Sequence, residues 1–101
     1  MEQKVVLNYC VYVLFSEVDK QIYVGYTKDI QKRINEHTNG RVKSTKHRRP
    51  LRLIFLEYFF FMEDAKYREL YFKSSKGKRM LKLMLSNTLE RLEYNSVRTQ
   101  Y

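Results

Sequence analysis

Arg33 and His37 stand four residues apart in the segment KRINEH, the spacing that brings two side chains to one side of an α-helix. An arginine placed so can hold a phosphate with two hydrogen bonds at once and keeps its charge at any physiological pH. A histidine beside it can move a proton near neutrality. Glu69 is a third candidate. With Phe61 at zero on a helical wheel, Phe72 falls at about 20°, Ala65 at about 40°, Glu69 at about 80° and Met62 at about 100°, so this carboxylate lies inside an apolar arc. A carboxylate facing a core must be ion-paired, protonated or metal-bound, because burying it bare is costly. Arg68, its neighbour in sequence, is turned away by the helical step, which leaves Arg33 as the cation expected within reach. Tyr12 and Tyr23 complete the set, each in the middle of a β-forming stretch where cross-strand pairing can bring their rings and hydroxyls together. Each of these residues also has a bland alternative: a strand tyrosine, a solvated helix edge, a structural ion pair.

Such side chains need elements to position them. Residues 9 to 15 (YCVYVLF) and 21 to 26 (QIYVGY) are β-branched and aromatic, separated by a short polar segment, and predict an antiparallel hairpin. Thr27 or Asp29 can cap a helix over about 29 to 38, and Asn39-Gly40 supplies its stop. After Pro50, LRLIFLEYFF predicts a third strand over about 51 to 58. A second helix is expected over about 62 to 73 and a third, after Ser74-Ser75-Lys76-Gly77, over about 78 to 85. The order β-β-α-β-α-α implies an α/β or α+β sandwich, a small three-stranded and mainly antiparallel sheet flanked by helices. Leu85, Leu89 and Leu92 keep helical spacing, so residues 86–101 read as a helical extension or a flexible tail behind a domain spanning 1–85.

At 101 residues, 44% of them hydrophobic, the chain fits a single core. It carries 20 Lys and Arg against 11 Asp and Glu, a net charge of +9, which favours a polyanionic partner. Six Lys or Arg residues and His47 fall between Arg41 and Arg52, and no acidic residue occurs from Thr38 through Leu56. The stretch RVKSTKHRRP combines charge with small hydroxyls, which makes Lys43, Ser44, Thr45, Lys46, His47, Arg48 and Arg49 candidate contacts to a phosphodiester backbone, with Lys28 a further cation near the first helix. No apolar run approaches the roughly 20 residues that span a bilayer, and no secretory signal pattern opens the chain. The lone Cys10 excludes an internal disulfide and fits a reducing cytoplasm, where the protein is expected. Any metal must then be held by oxygen or nitrogen.

Taken together, four short segments in order resemble the GIY-YIG nuclease family. CVY at Cys10 to Tyr12 stands at the first triplet and YVG at Tyr23 to Gly25 at the second. KRINEH resembles the helix with the functional arginine, and AKYREL at Ala65 to Leu70 the helix with the metal-binding glutamate. The resemblance covers about residues 9 to 85 and is greatest to compact bacterial members related to the nuclease domain of an excision-repair subunit. It departs at Cys10, where the family has Gly, and at Val24, where it has Ile.

The resemblance implies an endonuclease that hydrolyses DNA phosphodiester bonds with one Mg²⁺ or Mn²⁺, on branched or single-stranded DNA in repair or recombination. Glu69 would hold the metal, Arg33 the scissile phosphate, Tyr12 would take the proton of the attacking water, His37 would accept or relay it, and Tyr23 would orient water or phosphate. DNA is the expected partner, with RNA left open; no membrane and no small-molecule cofactor is expected, and a monomer is expected with an oligomer left open. The competing readings are a non-catalytic nucleic-acid-binding module on the same scaffold and a small basic structural protein.

Overall fold

The structure, a computed structural model that describes residues 2–4 and 6–94, is built around one strand. β1 (Tyr9–Ser16) is the middle of three, and every residue from Cys10 to Ser16 is buried. Its nearly unbroken run of apolar and aromatic residues is what a strand covered on both faces requires. β2 (Ile22–Thr27) and β3 (Leu51–Phe59) pair with it on either side, both antiparallel.

The alternation of side chains divides β1 between two cores. Cys10, Tyr12 and Leu14 point to one face, where Ile30 and Ile34 of α1 (Ile30–Thr38) pack with Tyr23 and Leu51. Val11 and Val13 point to the other, against Ala65 and Phe72 of α2 (Met62–Lys73) and Leu81 of α3 (Ser75–Met84). The α+β sandwich and the order expected from the sequence are those observed, with one further short helix, α4 (Ser86–Arg91). The tail expected over Asn95 to Tyr101 lies outside the described residues. Among those described, no helix is long and apolar enough to cross a membrane.

The punctuation of α1 follows the sequence closely. Asp29 caps it by accepting from the Lys32 backbone N–H at 3.1 Å, and Thr27 in turn accepts from the Asp29 N–H at 3.0 Å. Gly40, at φ 72°, takes the left-handed turn just beyond it.

The start of α3 corrects the sequence reading. Ser74 to Gly77 suggested a break with a helix from 78, whereas α3 begins at Ser75 and Gly77 lies within its first turn. Ser74 Oγ caps it, accepting from the Gly77 N–H at 3.1 Å. Gly77 is there for a packing reason: a Cβ would stand 1.7 Å from the Tyr71 carbonyl oxygen at the end of α2. The helix N-terminus thus rests on backbone, which no local pattern announces.

Gly77→Ala should therefore cost about 1–3 kcal/mol, as overpacking does, although Gly to Ala in an open helix gains about 1 kcal/mol. The urea midpoint reads the sign. A more stable variant would mean that α2 and α3 do not meet at this distance.

Candidate active site

Tyr12 is placed by an absence on the neighbouring strand. It pairs with Gly25, whose missing side chain leaves the space that the phenol ring fills: a Cβ on Gly25 would stand 2.3 Å from both Tyr12 Cζ and its hydroxyl oxygen. Tyr23 pairs with Leu14, so the two tyrosines are diagonal neighbours on one face, with ring centroids 6.4 Å apart.

α1 closes over them from above. His37, one turn after Arg33, is 1% exposed, and its Nε2 lies 2.8 Å from the Tyr12 hydroxyl. Its ring meets those of Tyr12 and Tyr23 edge-on, with centroids at 5.6 and 5.4 Å. Arg33 Nε donates to the same Tyr12 oxygen at 3.3 Å, and its Nη1 pairs with Glu36 at 3.1 Å. The solvated helix edge weighed for His37 is not what the fold builds. The Tyr23 hydroxyl makes no hydrogen bond among the described residues, so it is free to meet water or a ligand.

This burial sets the protonation states. Desolvation, and then the charge of Arg33, push the His37 imidazolium down to about 4, so the ring is neutral across the physiological range. Desolvation likewise raises the Tyr12 phenol to about 12, against the lowering pull of the Arg33 hydrogen bond. The Tyr12 and His37 pair is thus electrically neutral at rest, beside a cation.

Glu69 stands apart from this group. Its side chain, on the α2 face of the sheet, is 20% exposed and accepts from Lys73 Nζ at 2.9 Å. The ion pair with Arg33 weighed from the sequence is not formed, because Arg33 has its own carboxylate at i+3. Glu69 is still near enough for its charge to raise the Tyr12 phenol. Among the described residues no three acidic, His or Cys side chains cluster as a ready metal cage. The oxygen chemistry nonetheless fits a hard divalent cation that keeps most of its water and takes one carboxylate. Glu69 is partly open to solvent and, among the described residues, tied only to Lys73, so its carboxylate could take up such an ion.

The basic segment divides into architecture and open surface. Thr45 is fully buried, with its Oγ1 2.7 Å from His37 Nδ1. Arg48 grips Asp19 in the β1–β2 turn through two nitrogens, at 2.6 and 3.2 Å, while its carbonyl accepts from Ser16 Oγ at 2.6 Å. Burial alone would raise the Asp19 carboxyl, but Arg48, the Gln21 backbone N–H and Ser16 together outweigh it and hold it below its usual range. Arg49, though exposed, donates to the carbonyls of Lys46 and Thr38. Lys43, Ser44, Lys46 and His47 remain exposed, their side chains in no ion pair or hydrogen bond among the described residues.

Lys28 opens onto a cleft of about 450 Å³ between α1 and α2, lined by Tyr26, Lys32, Arg33, Met62 and Lys66 among others. β2 is an edge of the sheet, so α1 from one face and α2 from the other meet the cleft here. Tyr26, Lys32 and Lys66 were not among the sequence candidates. A lysine on a helix carries no local sign of the groove it faces, and Tyr26 read only as a strand residue.

The neutral His37 gives stability a pH dependence of definite sign. Its folded pKa of about 4 lies below its ordinary 6.5, so between them the unfolded chain binds the proton more readily. Its contribution is complete above 6.5 and declines as pH falls toward 4, by on the order of 3 kcal/mol. Urea unfolding at stepped pH should show this slope in the wild type and a shallower one in His37→Gln; identical slopes would assign the effect elsewhere.

A family model described as the GIY-YIG catalytic domain matches residues 8–82. A UPF0213 protein of Clostridium perfringens is 35% identical over 89 residues, covering 87% of this chain and 94% of that protein. A UPF0213 protein of Staphylococcus saprophyticus is 43% identical over 67 residues, 65% of this chain and 82% of its own. The UPF0213 protein YazA of Bacillus subtilis is 46% identical over 56 residues, 54% of this chain and 57% of its own. No solved structure matches the chain. The matched span runs from the residue before β1 into α3 and contains all the side chains that meet around Tyr12, and the chain accordingly belongs to the GIY-YIG catalytic domain family.

Proposed function

We propose that this protein is a divalent-metal-dependent endonuclease that hydrolyses DNA phosphodiester bonds at the Tyr12, Tyr23, Arg33, His37 and Glu69 site. The observation that carries the reading is the buried Tyr12–His37 hydrogen bond with Arg33 donating into it, a proton path beside a phosphate-binding cation.

Arg33 faces the cleft, where its guanidinium can bind the scissile phosphate and offset the charge that grows there. Tyr23, with its free hydroxyl, orients the attacking water. With its phenol raised to about 12, Tyr12 is scarcely ever a phenolate near neutrality, but it need not be one beforehand. As the water loses a proton to the Tyr12 oxygen, Tyr12 can pass its own to His37 Nε2, 2.8 Å away. The water oxygen bonds to phosphorus and the ester oxygen departs, while the ring becomes an imidazolium. A phosphate held by Arg33 aids this transfer, because the Arg33 charge is one of the two causes that depress His37. Glu69, released from Lys73, would hold the metal ion, whose positive charge would make the water more acidic and stabilise the developing negative charge.

The cations Lys28, Lys32 and Lys66 line the cleft that contains Arg33 and give the nucleic-acid strand a path to it. Lys43 and Lys46 extend the positive surface beyond α1, with His47 exposed beside them.

With Mg²⁺ or Mn²⁺, the purified protein should cut single-stranded, duplex or branched DNA. Glu69→Ala should abolish cutting while leaving DNA binding in place, and Arg33→Ala should lower kcat by about 10²–10³-fold. A protein that binds all three substrates but cuts none would instead be a non-catalytic binding module. In binding titrations, Lys43→Ala with Lys46→Ala should reduce the slope of log affinity against log salt by about 2, at roughly 0.9 per phosphate contact. Arg48→Ala should mainly destabilise the fold; an unchanged slope in the double lysine variant would exclude that loop from the contact surface.

A further inference from the structure

Within the exposed basic loop, one polar side chain is turned fully inward. Thr45 is 0% exposed, and its hydroxyl lies 2.7 Å from the one His37 nitrogen that Tyr12 does not use. We propose that Thr45 is a positioning residue that fixes His37 in the tautomer with hydrogen on Nδ1, leaving Nε2 bare to receive the Tyr12 proton.

A neutral imidazole carries one hydrogen, and the partner of one nitrogen decides the state of the other. Two arrangements fill both nitrogens of His37. In one, Nδ1–H donates to Thr45 Oγ1, Tyr12 O–H donates to Nε2, and Arg33 Nε–H donates to the Tyr12 oxygen. The three bonds then run head to tail from Arg33 to Thr45, and the one hydroxyl proton without a partner among the described residues is that of Thr45, at the end of the run and away from the transfer, where in the other arrangement it is that of Tyr12. In the other, Thr45 donates to Nδ1 and Nε2–H points at a Tyr12 oxygen that already accepts from Arg33. Tyr12 then faces a donor, and no base stands ready for its proton. The first arrangement also suits the transfer that follows: Nε2 gains the proton, and Nδ1–H of the resulting imidazolium keeps an acceptor in Thr45.

The fold holds Thr45 to this task from several sides. Its N–H donates to the Val42 carbonyl at 3.1 Å and its carbonyl accepts from the Arg48 N–H at 2.9 Å, closing a tight turn around it. Arg48 is in turn fastened to Asp19 and Ser16 on the sheet side. A hydroxyl that contacted nucleic acid would need to be open to solvent, and this one is sealed.

The catalytic consequence rests on the nuclease reading above; the tautomer does not. The chain has two histidines, so long-range proton–nitrogen NMR of the ¹⁵N-labelled protein at neutral pH resolves His37 beside the exposed His47 as an internal reference. Wild type should show His37 protonated at Nδ1 and bare at Nε2. Thr45→Val, which keeps the branched shape without the hydroxyl, should lose this preference and lower kcat about 10–100-fold, as loss of a ligand-orienting partner does, with KM little changed. Thr45→Ser should restore both. His37 found protonated at Nε2 in the wild type overturns the proposal with no variant needed. Thr45→Val that keeps the tautomer, or changes it without change in kcat, overturns it as well. A Thr45-dependent tautomer in a protein that cuts no DNA would leave the positioning intact and remove only the nuclease reading.

Discussion

The 2.8 Å hydrogen bond between the Tyr12 hydroxyl and His37 Nε2 joins the central strand to the first helix across 25 residues of sequence, and the site forms around it. Both partners are buried, so neither can turn to water if the bond fails, and each therefore fixes the other. The bond requires a bare Gly25 beneath the phenol ring, an α1 that ends just after His37, and a loop that returns to seat Thr45 behind the imidazole. These requirements come from three separate segments of chain. That is why a domain so small can hold a rigid polar group in its interior.

The same burial sets the electrostatic character of the site. A neutral phenol and a neutral imidazole lie next to a guanidinium whose charge, among the described residues, only Glu36 offsets directly. The resting arrangement therefore favours an anion at Arg33, and an anion there eases protonation of His37. In the proposed reaction, charge on the substrate would thus become part of the proton path and couple binding to chemistry. Glu69 acts at longer range, from the opposite face of the sheet, and its bond to Lys73 keeps a partly exposed carboxylate paired and available.

Positive charge on this protein serves two ends that composition cannot separate. Arg48 and Arg49 look, in sequence, like the strongest part of a phosphate-binding run, yet Arg48 ties the loop to the β1–β2 turn and Arg49 to the end of α1. Arg68 similarly bonds Glu57 of β3 at 2.7 Å and lies over the Phe72 ring at 4.3 Å, bracing α2 against the sheet. The residues left to meet a polyanion are mostly lysines, whose flexible stems and compact charge suit contacts to a backbone of variable geometry. Arg48, Arg49 and Arg68 hold the fold together, whereas Arg33 faces the cleft.

The sequence by itself determined the strands, the helix caps and the pairing of Arg33 with His37 on one side of α1, because these depend on periodicity and on neighbours within four residues. It also carried the family, since CVY, YVG, KRINEH and AKYREL keep their order along the chain. What depends on distant partners was not legible. Glu69 falls inside an apolar arc of the helical wheel, yet Ala65 and Phe72 take the buried places against the sheet while Glu69 stays partly exposed and pairs with Lys73. Gly77 read as a break because its packing partner is the backbone of another helix. Thr45 read as one more candidate backbone contact in a polar loop, and only the tertiary fold turned it inward to His37: the residues of a loop share one local composition, while burial is decided by what lies behind each of them.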